Sequence, residues 1–156
     1  MFGSHKLFIF IYVSIILGPL YAQCDSIGNK VSTFNDSILE LKFEKFDKQR
    51  YFTIKSELGA LLQEVDYSDC SGQKKDSLLI NLYNYFSENV AKINGDLMGY
   101  RSAWNEINLI CDRRLKTVDS TKTGIIDYYT AMKNEYESNQ YWLGNNYADL
   151  VIIMDN

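Results

Sequence analysis

The sequence predicts an all-α protein, a small antiparallel bundle of four or five helices. Proline occurs once among the 156 residues, at position 19, and only seven of the nine glycines follow it. A β-sandwich would need denser turn signals than these. Apolar residues recur instead at alternating spacings of four and three, which place them on one face of a helix.

Residues 1–22 have the pattern of a cleaved export signal. Lys6 precedes an apolar run from Leu7 to Leu17, and Ala22 offers a small residue for cleavage. The run is shorter than the roughly 20 residues that a membrane-spanning helix needs. We therefore expect a mature domain over 23–156 that is periplasmic or secreted, with no stable membrane insertion after cleavage.

The first half of the mature chain carries two apolar stripes, which predict two helices. A polar gap over 47–50 separates them, and the alternating segment 39–44 is interpreted as part of the first helix. The segment 66–75 is the strongest loop signal. The two stripes are Ile27, Val31, Phe34, Ile38 and Leu41, with Phe46 as an extension, and then Tyr51, Ile54, Leu58, Leu61 and Val65.

The longest stripe lies in the second half and supplies the predicted core. Asp76 or Ser77 can cap the start of its helix by accepting a backbone N–H bond. The ten stripe residues are Leu79, Tyr83, Phe86, Val90, Ile93, Leu97, Tyr100, Trp104, Ile107 and Cys111.

A turn signal, Asn94-Gly95-Asp96, interrupts this stripe without changing its phase. Either one helix of about 40 residues, roughly 60 Å long, passes through it, or two helices meet there. Ordinary helices run about 8–20 residues, which favours a break or kink.

The last part of the chain is expected to hold one more helix after a loop over 117–124. Ile125, Tyr129, Met132 and Tyr136 form its apolar face. The segment 144–146, Gly-Asn-Asn, is expected to end this helix. The apolar segment 147–154 could then form a helical turn or an edge strand.

Three cysteines in an exported chain predict one disulfide. Cys111 lies on the core stripe, so we expect it to be buried and reduced. Cys24 and Cys70 lie outside the stripes, and a chain reversal at 47–50 would bring them together. If the first helix instead ran unbroken to Val65, Cys24 would approach Cys111.

Several chemistries lack their residues in this chain. Its single histidine is His5, within the predicted signal, so no catalytic His pair, no His-ligated metal and no metal or cofactor site is predicted. A net charge of −4 shows no basic nucleic-acid footprint. Tyr141 and Trp142 lie outside the stripes and are the predicted interface residues. The triplet starting at Asn35 is a formal glycosylation acceptor.

The segment 100–111 (YRSAWNEINLIC) resembles the lysozyme-inhibitor-like family of small exported bacterial proteins, of the LprI N-terminal domain type. That family carries an Arg-x-x-Trp-like or Arg-Ala-Trp element followed within about two turns by a cysteine. The last helix, with Tyr128, Tyr129 and Met132, also resembles the family, although Met132 stands where a cysteine is expected. The resemblance spans about 70–143 and implies a helical periplasmic domain that binds a lysozyme-like enzyme.

These observations favour an exported, non-enzymatic binding protein with a protein partner. The net charge of −4 favours a basic partner, and an inhibitor of a lysozyme-like or other envelope-acting enzyme fits it. Two alternatives remain open at this level. One is a small carboxylate-dependent envelope hydrolase using Glu40 with Glu44, or Glu57 with Glu64. The other is an immunity-type protein that neutralises a toxin.

Overall fold

A computed structural model describes the backbone of residues 23–41 and 44–154, and the side chains as far as residue 144. The described chain forms five helices and no strand, which confirms the predicted helical bundle. We label them α1 (23–39), α2 (Lys48–Tyr67), α3 (Gly72–Phe86), α4 (Leu97–Thr117) and α5 (Thr123–Met154). The predicted signal, residues 1–22, lies outside the described residues.

The first chain reversal comes earlier than the sequence predicted. Helix α1 ends at position 39, and residues 40, 41 and 44 are not helical, so the interpretation of 39–44 as helix is wrong at those described positions. Asp47 is the N-cap of α2, where its side chain accepts the Arg50 backbone N–H at 2.8 Å. The polar gap over 47–50 therefore begins a helix, because a carboxylate there satisfies a backbone donor that has no partner within the helix.

The predicted break at Gly95 is present. Gly95 has a φ of 72°, a left-handed conformation that glycine adopts without steric cost. Asp96 then caps α4 by accepting the Gly99 backbone N–H at 2.8 Å. Between α3 and the break, the helix widens into a π-turn over Ser87–Ala91 and continues as Lys92–Asn94.

One hydrophobic core lies between the helices, and α4 packs in it against both α3 and α5. The long stripe contributes two kinds of position to it. Four stripe residues are half-buried, and of these Leu79, Tyr83 and Leu97 pack against the core while Ile93 is the fourth. The buried stripe residues are Phe86, Val90, Tyr100, Trp104, Ile107 and Cys111.

A disulfide joins Cys24 in α1 to Cys70 in the loop before α3, as predicted, with the two Cα atoms 5.3 Å apart. Cys111 is a buried free thiol, and burial, followed by the charge of Asp112, raises its pKa to about 11.

The side chain of the formal glycosylation acceptor lies inside the fold. Asn35 is 5% exposed, and its Nδ2 donates to Asn81 Oδ1 at 2.9 Å. The nitrogen that a glycan would occupy is therefore engaged inside the fold.

Helix α5 is longer than expected. The segment 144–146 does not end it, and the backbone stays helical to Met154, so the alternative of an edge strand over 147–154 is wrong. One glycine inside a helix costs only about 1 kcal/mol relative to alanine, which a long helix tolerates. Within the described part of the chain, no helix is long and apolar enough to cross a membrane.

Candidate functional site

The half-buried stripe residues Leu79 and Tyr83 line an open groove of about 630 Å³. The groove runs along α3, between the end of α2 and the second half of α4. Leu62 of α2 and Ile110 of α4 complete its apolar lining. The Tyr67 side chain, at the C-terminal end of α2, stands at its edge and is 85% exposed.

One end of the groove is fixed by a buried carboxylate. The Asp76 side chain is 3% exposed, and its Oδ2 accepts Arg114 Nε at 2.7 Å, while Arg113 Nη2 reaches Oδ1 at 3.1 Å. The hydrogen bond to Asp76 raises the pKa of Arg114, so that guanidinium stays charged. Gly72 provides the space for this pair, because a Cβ there would lie 2.9 Å from Arg114 Nη2.

Two acidic side chains, Asp66 and Glu106, lie beside Tyr83 in the remainder of the groove, which Gln63 and Lys75 also line. Burial, and then the negative charges of Glu106 and Asp66, raise the pKa of the Tyr83 phenol. Among the described residues neither Glu106 nor Asp66 takes part in an ion pair. Lys75 donates to the Asp66 backbone carbonyl at 2.7 Å rather than to its carboxylate. Two carboxylates beside a half-buried tyrosine make this part of the groove suited to a cation.

A second polar cluster lies at the π-turn, and its carboxylate is already bonded to other side chains of this protein. Glu88 accepts Tyr100 Oη at 2.7 Å and Trp104 Nε1 at 3.3 Å, and it pairs with Lys92 at 2.9 Å. Lys92 Nζ also lies 4.9 Å from the centre of the Trp142 ring. Glu88 lies in the π-turn, Tyr100 and Trp104 lie in α4, and Trp142 lies in α5, so the cluster joins these three segments.

The two predicted interface residues have different surroundings. Tyr141 is 76% exposed on α5. Trp142 is half-buried, and its ring lies 4.9 Å from the Tyr100 ring, centre to centre. The described structure therefore gives Trp142 a packing role within the chain and leaves Tyr141 on the surface.

None of the four carboxylates considered for hydrolysis lines this groove. Glu64 forms an ion pair with Lys30 of α1 at 2.8 Å, and Glu57 is exposed on α2. Among the side chains described, those of residues 23–41 and 44–144, no group of three or more His, Cys, Asp and Glu is arranged to hold a metal ion.

The groove could not be predicted from the sequence, because apolar periodicity locates the apolar face of a helix but does not show how completely neighbouring helices bury that face. The available signal was local. Tyr83 and Leu79 fall on the same side of α3 as Asp76, so a charged residue marks the edge of the buried face.

No family model, curated protein or solved structure matches this chain.

Proposed function

We propose that this chain is an exported, non-enzymatic protein that binds a basic protein partner through the groove along α3. The observation that carries the proposal is the combination of half-exposed Leu79 and Tyr83 with the carboxylates of Asp66 and Glu106. An aromatic and aliphatic floor receives the stem of a lysine or arginine side chain, and the carboxylates receive its charge.

Two further observations support export and a basic partner. The Cys24–Cys70 disulfide suits an oxidising compartment. Removal of residues 1–22 would take Lys6 from a chain of net charge −4 and leave −5. A negative surface accelerates encounter with a cationic protein by electrostatic steering. A basic lysozyme-like or other envelope-acting enzyme is the partner class we propose.

The test measures binding of the purified protein to a basic lysozyme-like enzyme by calorimetry, together with lysis of cell-wall substrate. We expect binding that weakens as salt rises, since screening weakens attraction between surface charges. Asp66→Asn and Tyr67→Ala should each weaken binding. Asp36→Asn is the matched control, because it removes the same charge from an exposed position on α1, outside the groove lining.

Two results would count against the proposal. One is the absence of binding at low salt. The other is binding that falls equally for Asp66→Asn and Asp36→Asn, which would indicate attraction by net charge without a groove. Lysis inhibited by the wild-type protein and not by Tyr67→Ala would support an inhibitory role.

A further inference from the structure

The exposed side of α4 carries a short charged stripe beside the groove. Glu106, Leu109 and Arg113 are spaced by three and four residues, so they lie on one face of the helix. Leu109 is 59% exposed and the Arg113 side chain is 64% exposed. A large apolar side chain therefore stands in solvent between one acidic and one basic residue.

The order of these residues is self-complementary. The midpoint between positions 106 and 113 falls next to Leu109, and the two charges are about 10 Å apart along the helix axis. If a second copy of α4 is placed by a twofold rotation about an axis through this midpoint, the acidic residue of each copy lies opposite the basic residue of the other. Such matching of one surface with itself is the requirement of a symmetric dimer interface.

We propose that two copies of this chain associate through antiparallel α4 helices. Glu106 of each copy faces Arg113 of the other, and the two Leu109 side chains meet near the twofold axis. Helix α4 extends from Leu97 to Thr117, so the axis lies near its middle and the helices overlap along most of their length.

Both charged residues are available for this contact. Arg114 already supplies a guanidinium to the buried Asp76 carboxylate through its Nε. Arg113 uses only one nitrogen, at 3.1 Å, and a guanidinium has five N–H donors. Glu106 is exposed beside the groove, and it forms no ion pair among the described residues.

Dimer formation is separate from the proposed binding of a basic partner, but the two would compete with each other. Glu106 lines the groove, so Arg113 of a second copy and a cation of the partner would compete for the same carboxylate. A partner that binds only the monomer shifts the dimer towards monomer by mass action.

The experiment measures molar mass by sedimentation equilibrium of the purified protein alone, over a range of concentrations at low salt. The wild-type protein should form a dimer. Glu106→Arg and Arg113→Glu should each raise the dimer dissociation constant at least tenfold, because each change opposes like charges at both ends. Glu106→Arg/Arg113→Glu together should restore the dimer, and mixing the two single variants should give a heterodimer.

Two controls separate this interface from net charge and from misfolding. Glu57→Arg makes the same charge change on an exposed position of α2 and should leave the dimer intact. Leu109→Asp alters an exposed side chain, should fold normally by circular dichroism, and should be monomeric. A monomeric wild type, a dimer unaffected by Leu109→Asp, or a mixture that stays monomeric would overturn the proposal. Because no partner is present, these outcomes are independent of the groove's binding function.

Discussion

Asp76 is the only buried charged residue among those whose side chains the structure describes. Removing one member of a buried pair leaves the other charge without compensation, which is more costly than losing a surface pair. Asp76 holds two arginines of α4 from a position in the second turn of α3. The same residue therefore joins two helices and defines one end of the groove.

Substitution of Asp76 should therefore be far more damaging than substitution of its exposed partner. We expect Asp76→Asn to lower the free energy of unfolding by about 1–3 kcal/mol, since a neutral amide cannot balance Arg114, whose side chain is 25% exposed and is partly solvated. Arg113→Ala should cost less than about 1 kcal/mol, because its side chain is 64% exposed and Arg114 remains in place. Urea unfolding monitored by circular dichroism measures both. Equal losses would contradict the assignment of Arg114 as the principal partner.

At the scale of the element, the break before α4 depends on one short cluster. Asp96 accepts hydrogen bonds from the Gly99 backbone and from Tyr51 of α2, and pairs with Lys55 at 3.0 Å. The cap thus also anchors α2. Gly99 also leaves room for the cap, because a Cβ there would overlap the Asp96 carboxylate.

Gly99→Ala should destabilise the protein even though alanine is the better helix former. Its propensity would favour the folded state by about 1 kcal/mol. The methyl group would displace Asp96, and losing an N-cap costs about 0.5–2 kcal/mol before the contacts to Tyr51 and Lys55 are considered. We expect a lower thermal midpoint than wild type. Gly124→Ala is the control, since nothing lies within 4 Å of a Cβ at that position, and a rise in midpoint for Gly99→Ala would contradict this account.

The same carboxylate predicts a pH dependence of stability. Burial alone would raise the pKa of Asp96, but hydrogen bonds from Tyr51, the Gly99 N–H and Lys55 together lower it below the ordinary value of 3.8. A group whose pKa is lower in the folded state stabilises it above the unfolded pKa and loses that effect as pH falls. The difference in stability between wild type and Asp96→Asn should therefore shrink below about pH 3.8. A constant difference down to pH 2 in urea titrations would contradict it.

The helices could be predicted from the sequence to the extent that each boundary has a local chemical cause. The turn at Gly95 was predictable because an Asn-Gly-Asp signal and a left-handed glycine are properties of neighbouring residues. The π-turn over Ser87–Ala91 has no such signal, and Glu88, which contacts Tyr100 and Trp104 across the fold, lies within it. The extension of α5 past Gly144 likewise opposes the local signal.

At the scale of the whole molecule, coverage decides which stripe positions are core and which form the groove. Leu79 and Leu82 lie on one helix only three residues apart, yet Leu82 is fully buried and Leu79 is half-exposed. The difference arises from where α2 and α4 sit against α3, and those positions depend on contacts far apart in sequence. The candidate site could therefore not be predicted from periodicity, although its residues belonged to the predicted stripe.

The Cys24–Cys70 disulfide is the covalent constraint on that arrangement, because it ties α1 to the loop that precedes α3 across a sequence separation of 46. Closing a loop of this size restricts the unfolded chain and contributes up to about 4 kcal/mol in the chain-entropy model. Reduction, or Cys24→Ser with Cys70→Ser, should lower the urea midpoint, whereas Cys111 should remain unreactive towards alkylating reagents until the protein unfolds. Quantitative alkylation should find one thiol in the denatured, non-reduced protein and three after reduction.

Two results would contradict this account. A thiol that reacts rapidly in the native protein would show that Cys111 is not enclosed. A Cys24–Cys111 link in peptide maps would refute the disulfide that holds α1 against the helices forming the groove.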